Sequence, residues 1–184
     1  MQPEQPEGMQ DDLPSHIDLD GDVWRFACEF YGVASVSDAC LRLQDKWGMD
    51  IVCLILVLYS HAIRERPLSA AEVTSLKASM KFWRQETVLP LRALRRRLKA
   101  PPAGFPAQET EALRGMIKKA ELRAEQIQLA MGERWLSRLP ASNGPTIEDI
   151  LPLLQETACG EEPEEFRSLM KPLLSAARET AASR

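Results

Sequence analysis

The sequence is short of glycine and histidine. Only nine of its 184 residues are glycine and two are histidine. No stretch alternates apolar and polar residues over a strand length, which argues against a half-buried sheet. The two histidines, His16 and His61, cannot supply the pair of Glu-x-x-His motifs that a carboxylate-bridged di-metal bundle needs. His61 has Glu65 four residues on, and no second copy of that arrangement exists. Cys28, Cys40, Cys53 and Cys159 form no C-x-x-C pair. The first three sit in apolar, helix-like surroundings, where a free thiol behaves as a small hydrophobe in a reducing compartment. Cys53 and His61 are eight residues apart on one expected helix, about 12 Å by rise alone, too far for a thiol–imidazole pair. A G-x-S-x-G elbow, a P-loop and a dinucleotide fingerprint are absent. The longest apolar run, Ile51 to Tyr59, has nine residues, far short of the ~20 that span a bilayer. The opening MQPEQPEGMQDD has neither the basic nor the apolar region of a secretory signal. These absences point to a soluble cytoplasmic protein with no cofactor, no metal site and no membrane insertion.

What is abundant is helix-forming: Ala, Leu, Glu, Arg and Gln. Trp24, Ala27, Cys28 and Tyr31 form a stripe at i, i+3, i+4, i+7, ended by Gly32. Val36, Ala39, Cys40, Leu43 and Trp47 form the next, with Ser35 or Ser37 as the cap and Gly48 as the close. Trp47 is expected in the core. Asp50 caps a third helix, IVCLILVLYSHAI, apolar nearly all round and expected at the centre of the fold. Ser69 and Glu72 make a capping box for a fourth helix with Val73, Leu76, Met80 and Trp83 as its seam. Pro90 must kink or restart that helix, and the seam resumes at Leu91, Leu94 and Leu98. After the linker KAPPAGFPA, a long helix is expected over about 108–139. Leu113, Ile117, Ala120, Ala124, Ile127 and Met131 give it a heptad-like seam, which also suits close packing on a neighbouring helix. A short helix capped by Thr146 follows, and residues 161–184 are charged and Ala-rich, with little apparent core.

Charge is unevenly spread. Residues 1–22 carry seven acids and no Lys or Arg, as do residues 148–165, while residues 23–138 hold nineteen bases against twelve acids. The overall −4 therefore hides a basic middle between acidic arms, a matter of partners and solubility rather than fold. Within the middle, Arg92, Arg95, Arg96 and Lys99 recur at i, i+3, i+4, i+7 as one cationic face. Arginine suits carboxylate or phosphate, and the plainer reading is a solvated face bridged to the protein's own acids. Gln44 and Asp45 end the second helix, where a carboxylate opposes the macrodipole. They and His61 are the further candidates for ligand contact. Glu121 and Glu125 stack on one face of the long helix, as a solvated edge or as salt-bridge partners for Lys118 and the neighbours of Arg123.

Four blocks carry a resemblance: WRFACEFYGV (24–33), ACLRLQDKWGMD (39–50), WRQETVLPLRALRRRLK (83–99) and AELRAE (120–125). Together they make the stretch from Trp24 to about Gln128 similar to a proteobacterial family of small helical proteins, domain-of-unknown-function family 2390. The resemblance implies a cytoplasmic helical domain and carries over no catalytic residue.

The sequence thus predicts an all-α fold, a single compact bundle of about five core helices over 22–139. A disordered acidic leader over 1–21 precedes it, and a linker with a weakly packed helical tail over 140–184 follows. The function expected is that of a non-enzymatic adaptor or regulatory protein, its cationic face meeting an acidic protein or a nucleic acid. The alternative is a small enzyme or ligand carrier with an apolar pocket between the third helix and the Trp47 and Trp83 helices.

Overall fold

The computed structural model describes residues 16–101, 103–141 and 163–184. Every regular element among them is helical: α1 (Asp22–Gly32), α2 (Ala34–Trp47), α3 (Ile51–Ala62), α4 (Ala70–Trp83), a π-helical turn (Arg84–Val88), α5 (Leu89–Arg97), α6 (Ala107–Ser137) and α7 (Pro163–Ala182). The expected short helix after Thr146, and Cys159, lie outside the described residues.

α3 is the axis of the molecule. Every residue from Ile51 to Ser60 is buried, as its near-continuous apolar sequence requires. Asp50 starts it, its carboxylate accepting from the backbone N–H groups of Val52 and Cys53. α2 buries the five residues of its expected stripe, and Gly48 closes it at φ +61°, a left-handed position. Neither Ser35 nor Ser37 caps it, because the helix already begins at Ala34 without a side-chain cap. The Ser69–Glu72 capping box forms, and Val73, Leu76 and Met80 are buried.

Two expectations are corrected by packing. On α1 the buried stripe is Val23, Phe26, Ala27 and Phe30, one residue out of phase with the stripe expected. Both phases have helical spacing, but the phenylalanines have no polar atom to keep wet, whereas Trp24 and Tyr31 do. Tyr31 and Cys28 are accordingly exposed. The C-terminal tail is the larger correction. α7 buries Phe166, Leu169, Met170, Leu173, Ala176 and Ala177, a continuous stripe laid mainly on α2 and also on α1 and α3. Phe166 meets the buried Trp47 edge-on at 6.0 Å. Glu165 anchors the helix start to Arg42 at 2.6 Å and Lys46 at 2.5 Å. The many charges of the tail are its outer face, and the apolar positions between them belong to the core. The last residues of the expected leader are ordered too. The Gln126 side-chain amide donates to the Leu19 carbonyl at 2.9 Å and to Asp20 at 3.1 Å.

Pro90 restarts the helix, as expected: α4 ends at Trp83 and the proline lies in the first turn of α5. Between them the backbone widens, and the Leu89 N–H reaches the Arg84 carbonyl five residues back. Proline lacks an N–H and crowds the carbonyl four residues before it, and a π turn relieves both by adding a residue to the loop. α5 then runs on as a separate short helix. The chain turns back at Gly104, φ +84°, and α6 returns beside α5. Farther along, α6 crosses α3 closely at Gly132, where a Cβ would fall 2.2 Å from a Leu56 methyl.

Candidate functional site

α5 and α6 meet through charge. Arg92, only 9% exposed, sends its Nε to Glu121 at 2.9 Å and an Nη to Glu125. Arg95 grips Glu121 from the other side, with Nε on one carboxylate oxygen and Nη2 3.1 Å from the other. Arg96, on the surface, pairs with Asp45 of α2 at 2.5 Å. Beneath them Arg84 of the π turn holds Asp50, the α3 cap, at 2.9 Å. Five elements, α2, α3 through its cap, the π turn, α5 and α6, are therefore tied by ion pairs whose partners lie tens of residues apart in sequence.

The network titrates unevenly. Burial pushes the Glu121 carboxyl up, but hydrogen bonds and charges from Arg95 and Arg92 outweigh it and hold the carboxyl below its usual range. Burial dominates at Glu125 and holds that carboxyl above its usual range, Arg92 opposing it and Glu121 adding to it. The hydrogen bond to Glu121 raises Arg95 further.

Above this network lies an open cleft of about 270 Å³ with walls from α1, α2, α5 and α6 and one residue, Ile51, from α3. Its charged lining is Arg92, Arg95, Lys118, Glu121 and Glu125. Among the described residues no ion pair engages Lys118. Leu41 and Leu122, each about half exposed, make an apolar rim, and Gln44 lines the wall. Tyr31 and Cys40 also line it. Burial pushes the Cys40 thiol up to about 12, the neighbouring Tyr31 opposing it only in part. At neutral pH it is a protonated thiol, not an activated nucleophile. Among the described residues no group of three His, Cys, Asp or Glu is placed to hold a metal ion.

The residues expected to contact a ligand divide accordingly. Arg92, Arg95 and Gln44 come together in the cleft, and Arg96 and Asp45 pair beside it. Lys99 is exposed at the end of α5 and meets no acid among the described residues. His61 sits ten residues beyond Ile51 on α3, about 15 Å along the axis, and its Nδ1 is buried without a hydrogen-bond partner. The expected leucine seam of α5 is also turned, with Arg92 inside and Leu94 40% exposed. Glu121 and Glu125 were expected as an edge or as partners of other cations; what was missed is their pairing with Arg92 and Arg95, which depends on how α5 is aimed at α6 and on no spacing within either helix. The expected apolar pocket lay elsewhere, yet Trp47 is packed under Phe166 and the Trp83 indole donates to the Ala124 carbonyl at 2.9 Å.

A family model described as a protein of unknown function, DUF2390, matches residues 22–131. The chain belongs to this family. The DUF2390 region runs from the start of α1 into α6, and so holds the whole ion-pair network and every residue lining the cleft. α7 lies outside the matched residues while completing the core they form. No curated protein and no solved structure matches the chain. Among the described residues no helix is long and apolar enough to cross a membrane.

Proposed function

We propose that the protein is a non-enzymatic binding protein whose cleft receives an acidic, partly apolar segment of a protein partner. One observation carries the reading: the cleft is lined by three cations and two carboxylates, with Lys118 left over at an apolar rim. A partner carboxylate would balance that charge while an adjacent apolar side chain covered Leu41 and Leu122. Arg92 and Arg95 serve as the held floor of the cleft rather than as its free contacts, because α6 already neutralises them. The free cationic contact is then Lys118. The cleft is open and at about 270 Å³ lies below the roughly 300–1,000 Å³ of small-molecule pockets, which favours a docked side chain over an enclosed ligand. A cytoplasmic location fits this reading.

The test is site-specific photo-crosslinking in cells, with the photoreactive residue at Leu122 and, for comparison, at the exposed Lys81. A defined product at Leu122, mapped to an Asp- or Glu-rich segment and lost in Lys118→Glu, is the expected result. Equal labelling at both positions, or labelling indifferent to Lys118→Glu, would overturn the proposal.

A further inference from the structure

The first half of α6 carries a second surface. Glu109, Leu113, Met116, Ala120 and Arg123 follow one another at steps of four, three, four and three. That spacing places them on one heptad stripe, with Ala112 at its edge. All six are exposed, Met116 at 62% and Leu113 at 46%. The seam expected from sequence overlaps this stripe but is split by the fold. Ile117 and Ala124 turn inward and are buried, while Leu113 and Ala120 stay uncovered beside the exposed Met116, which was not part of that seam. Lys118 of the cleft is two residues from Met116, about 200° round the helix, so the two surfaces face different ways.

About Met116 the stripe is mirrored at every member but Leu113, whose counterpart is the exposed Lys119. Glu109 and Arg123 each lie seven residues from it, and Ala112 and Ala120 each lie four. Two copies laid antiparallel would set Met116 on Met116 at the two-fold axis and Ala112 on Ala120, small residues that let the helices approach closely. Glu109 would then face Arg123 at both ends. Both charges are available: no cation engages Glu109 among the described residues, and the Arg123 guanidinium bonds a neutral amide, the Gln126 oxygen, at 2.8 Å. A parallel pair would set Glu109 against Glu109 and Arg123 against Arg123. Self-complementarity of this kind is what a two-fold, isologous interface requires.

We infer that the protein self-associates through antiparallel pairing of the exposed Glu109–Arg123 stripe of α6, a second copy of this chain being its partner. The stripe is about 21 Å long, so the buried area falls at the low end for specific interfaces and the dimer is concentration-dependent.

Sedimentation equilibrium of the full chain tests this from low micromolar to several hundred micromolar concentration. A monomer–dimer equilibrium is expected, abolished by Met116→Glu, an exposed change that leaves the circular dichroism melt intact. Glu109→Arg alone and Arg123→Glu alone should each weaken self-association by about tenfold through two like-charge contacts. Mixing the two single variants should restore dimers, because each mixed pair is complementary at both ends. The double variant should dimerise like the natural chain. A chain that remains monomeric throughout, or single reversals that leave dimerisation unchanged, or a mixture that fails to recover it, would overturn the inference. Dimerisation intact in Lys118→Glu shows that the two surfaces act separately, and its loss there would overturn the assignment to this stripe.

Discussion

The two ends of the molecule are held by different forces. Around α3, the helices α1, α2 and α7 bury Phe26, Phe30, Leu43, Trp47, Phe166 and Leu173 against a nearly continuous apolar axis. Between α5 and α6 the buried groups include Arg92 and Glu121, with Asp50 and Arg84 nearby. The first end gains stability in proportion to the apolar area removed from water and has no strong directional demand. The second must repay the desolvation of its charges through geometry, and it fails if one partner is lost. One end is consequently less demanding of geometry, whereas the other is exacting and titratable.

Deleting α7 should have the largest effect. Four large side chains, Phe166, Leu169, Met170 and Leu173, would leave the core at about 1.5–3 kcal/mol each, a sum comparable to the 5–15 kcal/mol that holds an ordinary domain together. A chain ending at residue 162 should lose its cooperative thermal transition. A transition retained near the full-length midpoint would mean that α7 is an appendage and that the apolar end is complete without it.

At the other end, Glu121→Gln should cost about 3 kcal/mol at neutral pH, because it strips two arginines of their shared carboxylate. Glu125→Gln should cost distinctly less. The sign follows from the two shifts. Glu121 is lowered in the folded protein, so its contribution is complete above the usual carboxylate range and is lost as pH falls through the lowered value. Glu125 is raised, so the folded state prefers its neutral form, which glutamine resembles. Its charge costs stability above the raised value, and that cost disappears as pH falls. Urea melts as a function of pH should therefore show the natural chain converging on Glu121→Gln in acid. Equal penalties for the two variants at neutral pH would contradict the assignment of roles.

The smallest effect belongs to the edge of the network. Arg96 and Asp45 are paired, but both side chains are more than half exposed, and Arg96→Gln should change stability by no more than about 0.5 kcal/mol. A cost as large as that of Glu121→Gln would show that the buried network extends to the surface.

The same contrast decides what could be read before the structure. α2, α3, the Ser69 capping box and the limits of α6 are written in local spacing, in which each residue's neighbours lie three or four positions away. The α1 stripe was missed by one position because two phases had the same period, and only the preference of tryptophan and tyrosine for a wet edge separates them. The α7 stripe was legible as spacing but masked by the density of charge on its outer face. Arg92 and Glu121 are 29 residues apart, and their pairing depends on how Pro90 and the Gly104 turn aim α5 at α6. No periodicity within either helix records that. The cationic face expected from Arg92 to Lys99 is real as spacing, yet two of its arginines turn inward to acids the sequence places far away.

Native-state hydrogen exchange followed as a function of pH tests the two-ended account most directly, reading the α5 amides against those of α3. The account predicts that protection in α5 falls as pH drops through the lowered Glu121 titration, while protection in α3 holds its level over the same interval. If α5 and α3 lose protection together, in parallel and with one pH dependence, then the molecule is a single cooperative unit and the division between an apolar end and an ionic end is wrong.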